Sequence, residues 1–162
     1  MMIVRPAFTI APAVSPADLA AIRDLFRAYA ASLPVDLGYQ GFEDELAGLP
    51  GAYAPPAGGL LLARGDDGAP LASGAFRAMK AGEGCEMKRV YVAPAARGLG
   101  LGLAMVDALF DAARAAGHRR MVLDTLPSMV EAHRLYAKRG FKPIAPYYDT
   151  PIEGTVFLGR DL

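Results

Sequence analysis

Arg97-Gly98-Leu99-Gly100-Leu101-Gly102 closes an extended apolar segment and opens an amphipathic helix. Its glycines let the backbone approach a ligand with no side chain in the way, and amides at a helix start are unpaired donors with partial positive charge. Arg97 sets a full charge beside them. Such a turn suits a phosphate, but a Gly-rich turn before a helix is also the make-up of a plain tight turn. The flanking sequence has to decide.

Upstream, residues 85–92 form a strand whose period of two puts Glu86, Lys88, Val90 and Val92 on one face and Met87, Arg89 and Tyr91 on the other. Pro94 ends it, having no amide to give to a ladder. Downstream, the spacing predicts a helix over about 99–116 with Leu101, Met105, Ala108, Leu109 and Ala112 as its buried stripe, stopped by Gly117. Strand, turn, helix is the order that an anion site requires. Met121-Val122-Leu123 then reads as a buried strand ending at Asp124-Thr125, and a helix over about 129–139 is closed by Gly140. Residues 141–144 and 155–158 are the last strands, joined by Pro146-Tyr147-Tyr148-Asp149-Thr150-Pro151.

Towards the N-terminus, a short strand at 8–10 precedes Ser15-Pro16-Ala17-Asp18, which supplies an N-cap, a proline at the first helical position and an acid in the first turn. The helix that follows faces the core with Leu19, Ile22, Phe26 and Tyr29, and Ser32-Leu33-Pro34 breaks it. A loop through Asp36, Tyr39 and Gln40 leads to a short helix at 42–46. Strands at 60–63 and 71–76 flank the Gly65-Asp66-Asp67-Gly68 turn, and Gly82-Glu83-Gly84 turns into the strand at 85–92.

Within this order two motifs carry a resemblance. Arg97, Gly100 and Gly102 fit the R/Q-x-x-G-x-G/A signature of the GNAT superfamily, the acyl-coenzyme A-dependent N-acetyltransferases, and Leu135-Tyr136 with Gly140-Phe141 resembles the second family motif. The likeness covers about 60–162 well and the first 59 residues in general layout. It implies an α/β GNAT fold, a mixed central sheet of six to seven strands flanked by about four helices, with residues 1–162 as one domain. It further implies acetyl-CoA as cosubstrate, held by Arg97, Gly98, Leu99, Gly100, Leu101 and Gly102, with Val90, Tyr91 and Val92 beside the pantetheine arm. Seven residues before Tyr136, where many relatives have an asparagine on the cofactor, this chain has Met129, and Ser128 is the available substitute.

Acetyl transfer needs a proton acceptor, oxyanion donors and a proton donor. Tyr136 is the expected acid, because a phenol with an ordinary pKa of about 10 keeps its proton for the departing sulfur. Glu86 is the expected base, at a place where some relatives carry theirs; a solvated glutamate at a strand start is the rival reading. A main-chain amide near Tyr91 or Val92 would hold the oxyanion. Asp36, Tyr39, Gln40, Tyr147 and Tyr148 are candidates to touch the acceptor, since the resemblance places both segments at the acceptor groove.

Composition bounds the rest. Seventeen basic residues balance seventeen acidic ones, so net charge argues for neither nucleic acid nor membrane. Cys85 is the only cysteine, which excludes an internal disulfide and suits a reducing cytoplasm as a filler residue. His118 and His133 lack the spacing of a metal pair, so no metal is expected. The glycines do not complete G-x-G-x-x-G, against a dinucleotide site. No leader or long apolar span stands at the N-terminus. The expectation is a cytoplasmic transferase of acetyl groups to a small primary amine, such as an amino acid, with homodimerisation left open. A protein N-terminal or lysine acetyltransferase, and a CoA-binding sensor without transfer, are the alternatives.

Overall fold

The computed structural model describes residues 7–80 and 83–162. Ser15 starts the first long helix as its sequence announces: Ser15 Oγ accepts from the Asp18 amide at 3.1 Å, and Asp18 Oδ2 accepts from the Ser15 amide at 3.4 Å. In chain order the elements are β1 (Phe8–Pro12), α1 (Pro16–Ser32), α2 (Phe42–Ala47), β2 (Gly59–Gly65), β3 (Pro70–Ala78), β4 (Cys85–Val92), α3 (Leu101–Ala115), β5 (Arg120–Thr125), α4 (Val130–Lys138), β6 (Lys142–Pro143) and β7 (Val156–Asp161). Single 3-10 turns lie at Leu37–Gln40, Gly51–Tyr53 and Pro94–Ala96.

The strands make one seven-stranded sheet in the order β1-β2-β3-β4-β5-β7-β6. Its ladders are antiparallel except between β4 and β5, because the chain returns from β4 through α3 and enters β5 in the same direction. Each face of the sheet has its own core. On one, Leu101, Met105, Leu109 and Phe110 of α3 pack on Ala72, Phe76, Met87, Met121 and Leu123. Gly74 of β3 brings the helix close, since a Cβ there would lie 2.8 Å from Leu109 Cδ1 and 2.9 Å from Met105 Cγ. On the other face Ile22, Leu25 and Phe26 of α1 join Phe42, Leu46, Tyr53, Leu60, Leu62 and Tyr91.

Several expectations shift. Helix α3 starts at Leu101, because Gly98 and Gly100 take φ of +87° and +73° and hold the turn out of the helix. Its buried stripe includes Val106, Phe110 and Ala113, while Ala108 and Ala112 are only half-buried, a small rotation of the face. In α1, Ala21 and Leu25 are buried and Leu19 and Tyr29 only partly. Strand β7 runs on to Asp161, pairing with β5 along its length. Of the expected Gly82-Glu83-Gly84 turn, Gly82 lies outside the described residues, as do residues 1–6 at the N-terminus.

The strict alternation of β4 is the correction with functional weight. Ser73 pairs with Tyr91 and Ala75 with Lys88, so Gly74 alone stands against Arg89 and Val90. That is a β-bulge, with Arg89 at φ +59°. Past it the faces exchange: Met87 belongs to the α3 core, Val90 and Val92 pack against that same core, and Tyr91 belongs to the α1 core.

Candidate active site

Strand β4 is paired to β5 only through Cys85 with Met121 and Glu86 with Val122. Beyond Glu86 the two strands part, and the space between them is lined by Met87, Lys88, Arg89 and Val90 on one side and Leu123, Asp124 and Thr125 on the other. Backbone donors must be paired somewhere, so a parting of strands in the middle of a sheet presents polar groups to whatever fills it. The bulge fixes where this happens. The Arg89 carbonyl accepts from Ser73 Oγ at 3.0 Å, and the Arg89 guanidinium is tied to Glu45 of α2.

Three hollows meet here. A groove of about 940 Å³ runs along the start of α3 and the side of α4, past Val90, Tyr91, Val92, Arg97, Gly98, Gly100, Gly102 and Ser128. A groove of about 870 Å³ lies on the opposite side, past Gln40, Arg77, Glu86, Lys88, Tyr147 and Tyr148. A narrow neck lies between them, sharing Tyr29, Val90, Met129 and Tyr136 with the first and Tyr39, Gln40 and Lys88 with the second.

The first groove fits a phosphate-bearing chain. Gly100 is the N-cap of α3 and no side chain caps it, so the first-turn amides stay available. A Cβ at Gly98 or Gly100 would meet no protein atom within 4 Å, which leaves the mouth of the helix clear. Arg97 Nε donates to the Val92 carbonyl at 3.4 Å, holding that cation beside the turn. Leu99, expected in this set, is 52% exposed and does not line the groove.

Tyr136 stands at the neck. Its ring lies edge-on to Phe141, with centroids 5.6 Å apart, and the side chain is buried. Burial pushes its phenol above the ordinary tyrosine value, reinforced by Tyr29 and Asp124 nearby, so the proton is held firmly. Helix α4 is placed by Arg139 just past its end, whose guanidinium donates to Asp107 of α3 at 2.8 and 3.1 Å.

On the acceptor side, Glu86 is buried with both oxygens engaged. Oε1 accepts from Arg77 Nε at 2.9 Å, and Oε2 accepts from the Tyr147 hydroxyl at 2.7 Å. Asp124 Oδ2 accepts from the Tyr148 hydroxyl at 2.6 Å. Lys88 Nζ donates to Gln40 Oε1 at 3.1 Å and stands 3.7 Å from Asp124 Oδ1. Burial pushes the Lys88 amine down, against the upward pull of Asp124 and Glu86. The rings of Tyr147 and Tyr148 both pack edge-on against Phe157, which anchors this wall to β7.

Glu86, Tyr39, Gln40, Tyr147 and Tyr148 thus come together, whereas Asp36 lines none of these hollows and its Oδ1 accepts from the Gly38 amide at 2.7 Å. Arg77, Lys88 and Asp124 are additional members that the sequence did not single out. Lys88 was legible as a same-face neighbour of Glu86, but Asp124 joins only because β4 and β5 part beside it. Cys85 is buried, and burial pushes its thiol up to about 12, in keeping with a filler role. His118 and His133 hydrogen-bond to the carbonyls of Ala57 and Leu126. No group of three or more potential metal ligands gathers among the described residues, nor is any described helix long and apolar enough to cross a membrane.

Comparison with known proteins gives this geometry its family. Residues 20–141 match the Acetyltransferase (GNAT) family. An uncharacterized N-acetyltransferase of Schizosaccharomyces pombe is 38% identical over 147 residues, covering 91% of this chain and 90% of the relative. A solved structure from Klebsiella pneumoniae, assigned as an acyl-CoA N-acyltransferase, superposes with a TM-score of 0.76 at 28% identity, over 98% of this chain and 99% of that one. Another, from Salmonella typhimurium, was determined with its cofactor acetyl-CoA and superposes with a TM-score of 0.68 at 23% identity, over 96% and 94% of the two chains. The chain belongs to the GNAT family of acetyltransferases. It is an acyl-CoA N-acyltransferase of a family that uses acetyl-CoA.

Proposed function

We propose that this protein moves an acetyl group from acetyl-CoA to the primary amine of a small molecule by direct attack, within one domain spanning residues 1–162. The observation that carries the reading is the succession of hollows from the glycine turn, past the neck at Tyr136, to a groove walled by Tyr39, Tyr147 and Tyr148. A groove of about 870 Å³ is of the size that encloses small metabolites. A thioester supplies an electrophilic carbonyl carbon. Arg97, Gly98, Gly100, Leu101, Gly102 and Ser128 would hold its nucleotide end, and the β4 backbone from Val90 to Val92 its arm. Backbone amides near Tyr91 would bind the developing oxyanion, Tyr136 would protonate the departing sulfur, and a carboxylate on the acceptor side, Glu86 or Asp124, would relieve the amine of its proton.

An acceptor enters as an ammonium ion at neutral pH, since alkyl amines resemble lysine with a pKa of about 10.4. Glu86 in the groove and Asp124 in the neck suit that cation. The test is incubation with acetyl-CoA and separate pools of amino acids, diamines, polyamines and peptides, with acetylated product identified by mass spectrometry. Acetylation in a small-molecule pool supports the reading, and acetylation confined to peptides overturns the small-molecule assignment.

A further inference from the structure

The two carboxylates of the acceptor side use their lone pairs differently. Glu86 Oε1 takes both Arg77 Nε and Nη2 at 2.9 Å, and Oε2 takes the Tyr147 hydroxyl. Asp124 Oδ2 takes the Tyr148 hydroxyl, but Oδ1 has no hydrogen bond among the described residues and faces Lys88 Nζ at 3.7 Å, beyond hydrogen-bond length. Position separates them as well. Asp124 lines the neck together with Tyr136 and the β4 bulge, while Glu86 lines the outer groove and not the neck.

We propose that Asp124 receives the acceptor's ammonium group and takes its proton at Oδ1, with Lys88 as counter-charge and Glu86 as a positioning residue for Arg77 and Tyr147. The assignment rests on the transferase reading above. An ammonium group entering beside the Lys88 ammonium meets a like charge in a buried space, which favours its neutral form and drives the proton to the carboxylate. The acceptor N–H bond breaks, an O–H bond forms on Oδ1, and the lone pair stays on nitrogen. That pair makes the C–N bond as the C–S bond breaks and sulfur takes the Tyr136 proton. The second nitrogen proton returns to the Tyr136 oxygen through solvent, and Asp124 releases its own to solvent.

The titratable and charged groups facing Asp124 are Lys88, Arg89 and Glu86 from β4, the Arg89 guanidinium being paired with Glu45, and the hydroxyls of Tyr29, Tyr39, Tyr136, Tyr147 and Tyr148. Burial raises Tyr29, Tyr136, Tyr147 and Tyr148 above the ordinary value, so they hold their protons across the working range. The acid limb of the rate profile is the readout by which variants tell the two carboxylates apart.

The experiment is amine-dependent thiol release from acetyl-CoA, followed against pH for the wild type, Asp124→Asn, Glu86→Gln and Lys88→Met over common amino acids, diamines and polyamines. Asp124→Asn should lower kcat about 100-fold or more and abolish the acid limb, with acetyl-CoA affinity by calorimetry unchanged. Glu86→Gln should raise the acceptor KM and keep the acid limb, and Lys88→Met, which removes the amine facing Oδ1, should move that limb to higher pH. Wild-type kcat in Asp124→Asn, or loss of the limb in Glu86→Gln instead, overturns the assignment and leaves the transferase reading standing. Should Asp124→Asn fail to bind acetyl-CoA, the Lys88→Met profile decides, an unshifted limb counting against Asp124. A wild type that releases no thiol with any amine overturns the transferase reading itself, and this inference with it.

Discussion

Arg89 and Glu45 are joined by a forked ion pair, Nε to Oε2 at 2.9 Å and Nη2 to Oε1 at 3.2 Å, that ties the bulge of β4 to helix α2. The Arg89 side chain is 2% exposed, and its guanidinium lies over the Phe42 ring, 5.1 Å from the centroid. A non-glycine residue at φ +59° is uncommon, and here a buried pair and the Ser73 hydroxyl hold it there. Removing one partner of a buried pair strands the other charge. Glu45→Ala should therefore destabilise the fold by about 3 kcal/mol in urea unfolding, whereas a surface pair such as Arg134 with Glu131 should contribute under about 1 kcal/mol.

Gly100→Val tests the glycine turn. At φ +73° any side chain is strained, and the space above is the groove itself. Gly117 offers the control, since it has φ +91° and equally open surroundings but lies at the far end of α3. Both valine variants should lose about 1 to 2 kcal/mol of stability from the left-handed backbone. Only Gly100→Val should weaken acetyl-CoA binding by calorimetry, by more than about tenfold, or 1.4 kcal/mol. Equal affinities in the two variants would contradict the placement of the phosphates.

Packing between sheet and helix is equally exposed to test at Gly74. Its Cβ position lies within 3 Å of Met105 and Leu109 side chains on α3. Gly74→Val should overpack this contact and lower stability by about 2 kcal/mol, measured in denaturant. Gly41→Ala, whose Cβ would meet nothing within 4 Å, separates backbone strain from overpacking.

Acid stability should carry a signature of Asp18. The Arg64 guanidinium, with the Val14 amide, lowers its carboxyl from 3.8 to about 2. The folded value lies below the unfolded one, so the contribution is complete above the unfolded pKa and is lost as pH falls from 3.8 through about 2. Asp18→Asn should flatten that part of a Tm-against-pH curve. An unchanged slope would show that the Arg64 contact does not persist in solution.

How much of this was legible in the sequence depends on how local each cause is. Ser15, Pro16 and Asp18 specify a helix start within four positions, and β4 is found at Cys85–Val92 as its pattern predicts. The glycine turn and Tyr136 come into one groove because each sits in a local motif. The bulge does not announce itself, because Arg89 and Val90 look like ordinary alternation until Gly74 of another strand fails to supply a second partner. Asp124 is missed for the same reason: its place in the neck arises from the parting of two strands, a tertiary event. Asp36 is the opposite case, a loop acid near the acceptor side whose local turn claims its carboxylate.

The proposed role of Tyr136 as proton donor in acetyl transfer is most directly tested by measuring free thiol release from acetyl-CoA in the wild type and Tyr136→Phe, each with and without an acceptor amine. The wild type should show amine-dependent release, and Tyr136→Phe should fall about 100-fold in kcat while binding acetyl-CoA with unchanged affinity. Amine-dependent release at the wild-type rate in Tyr136→Phe would contradict the account.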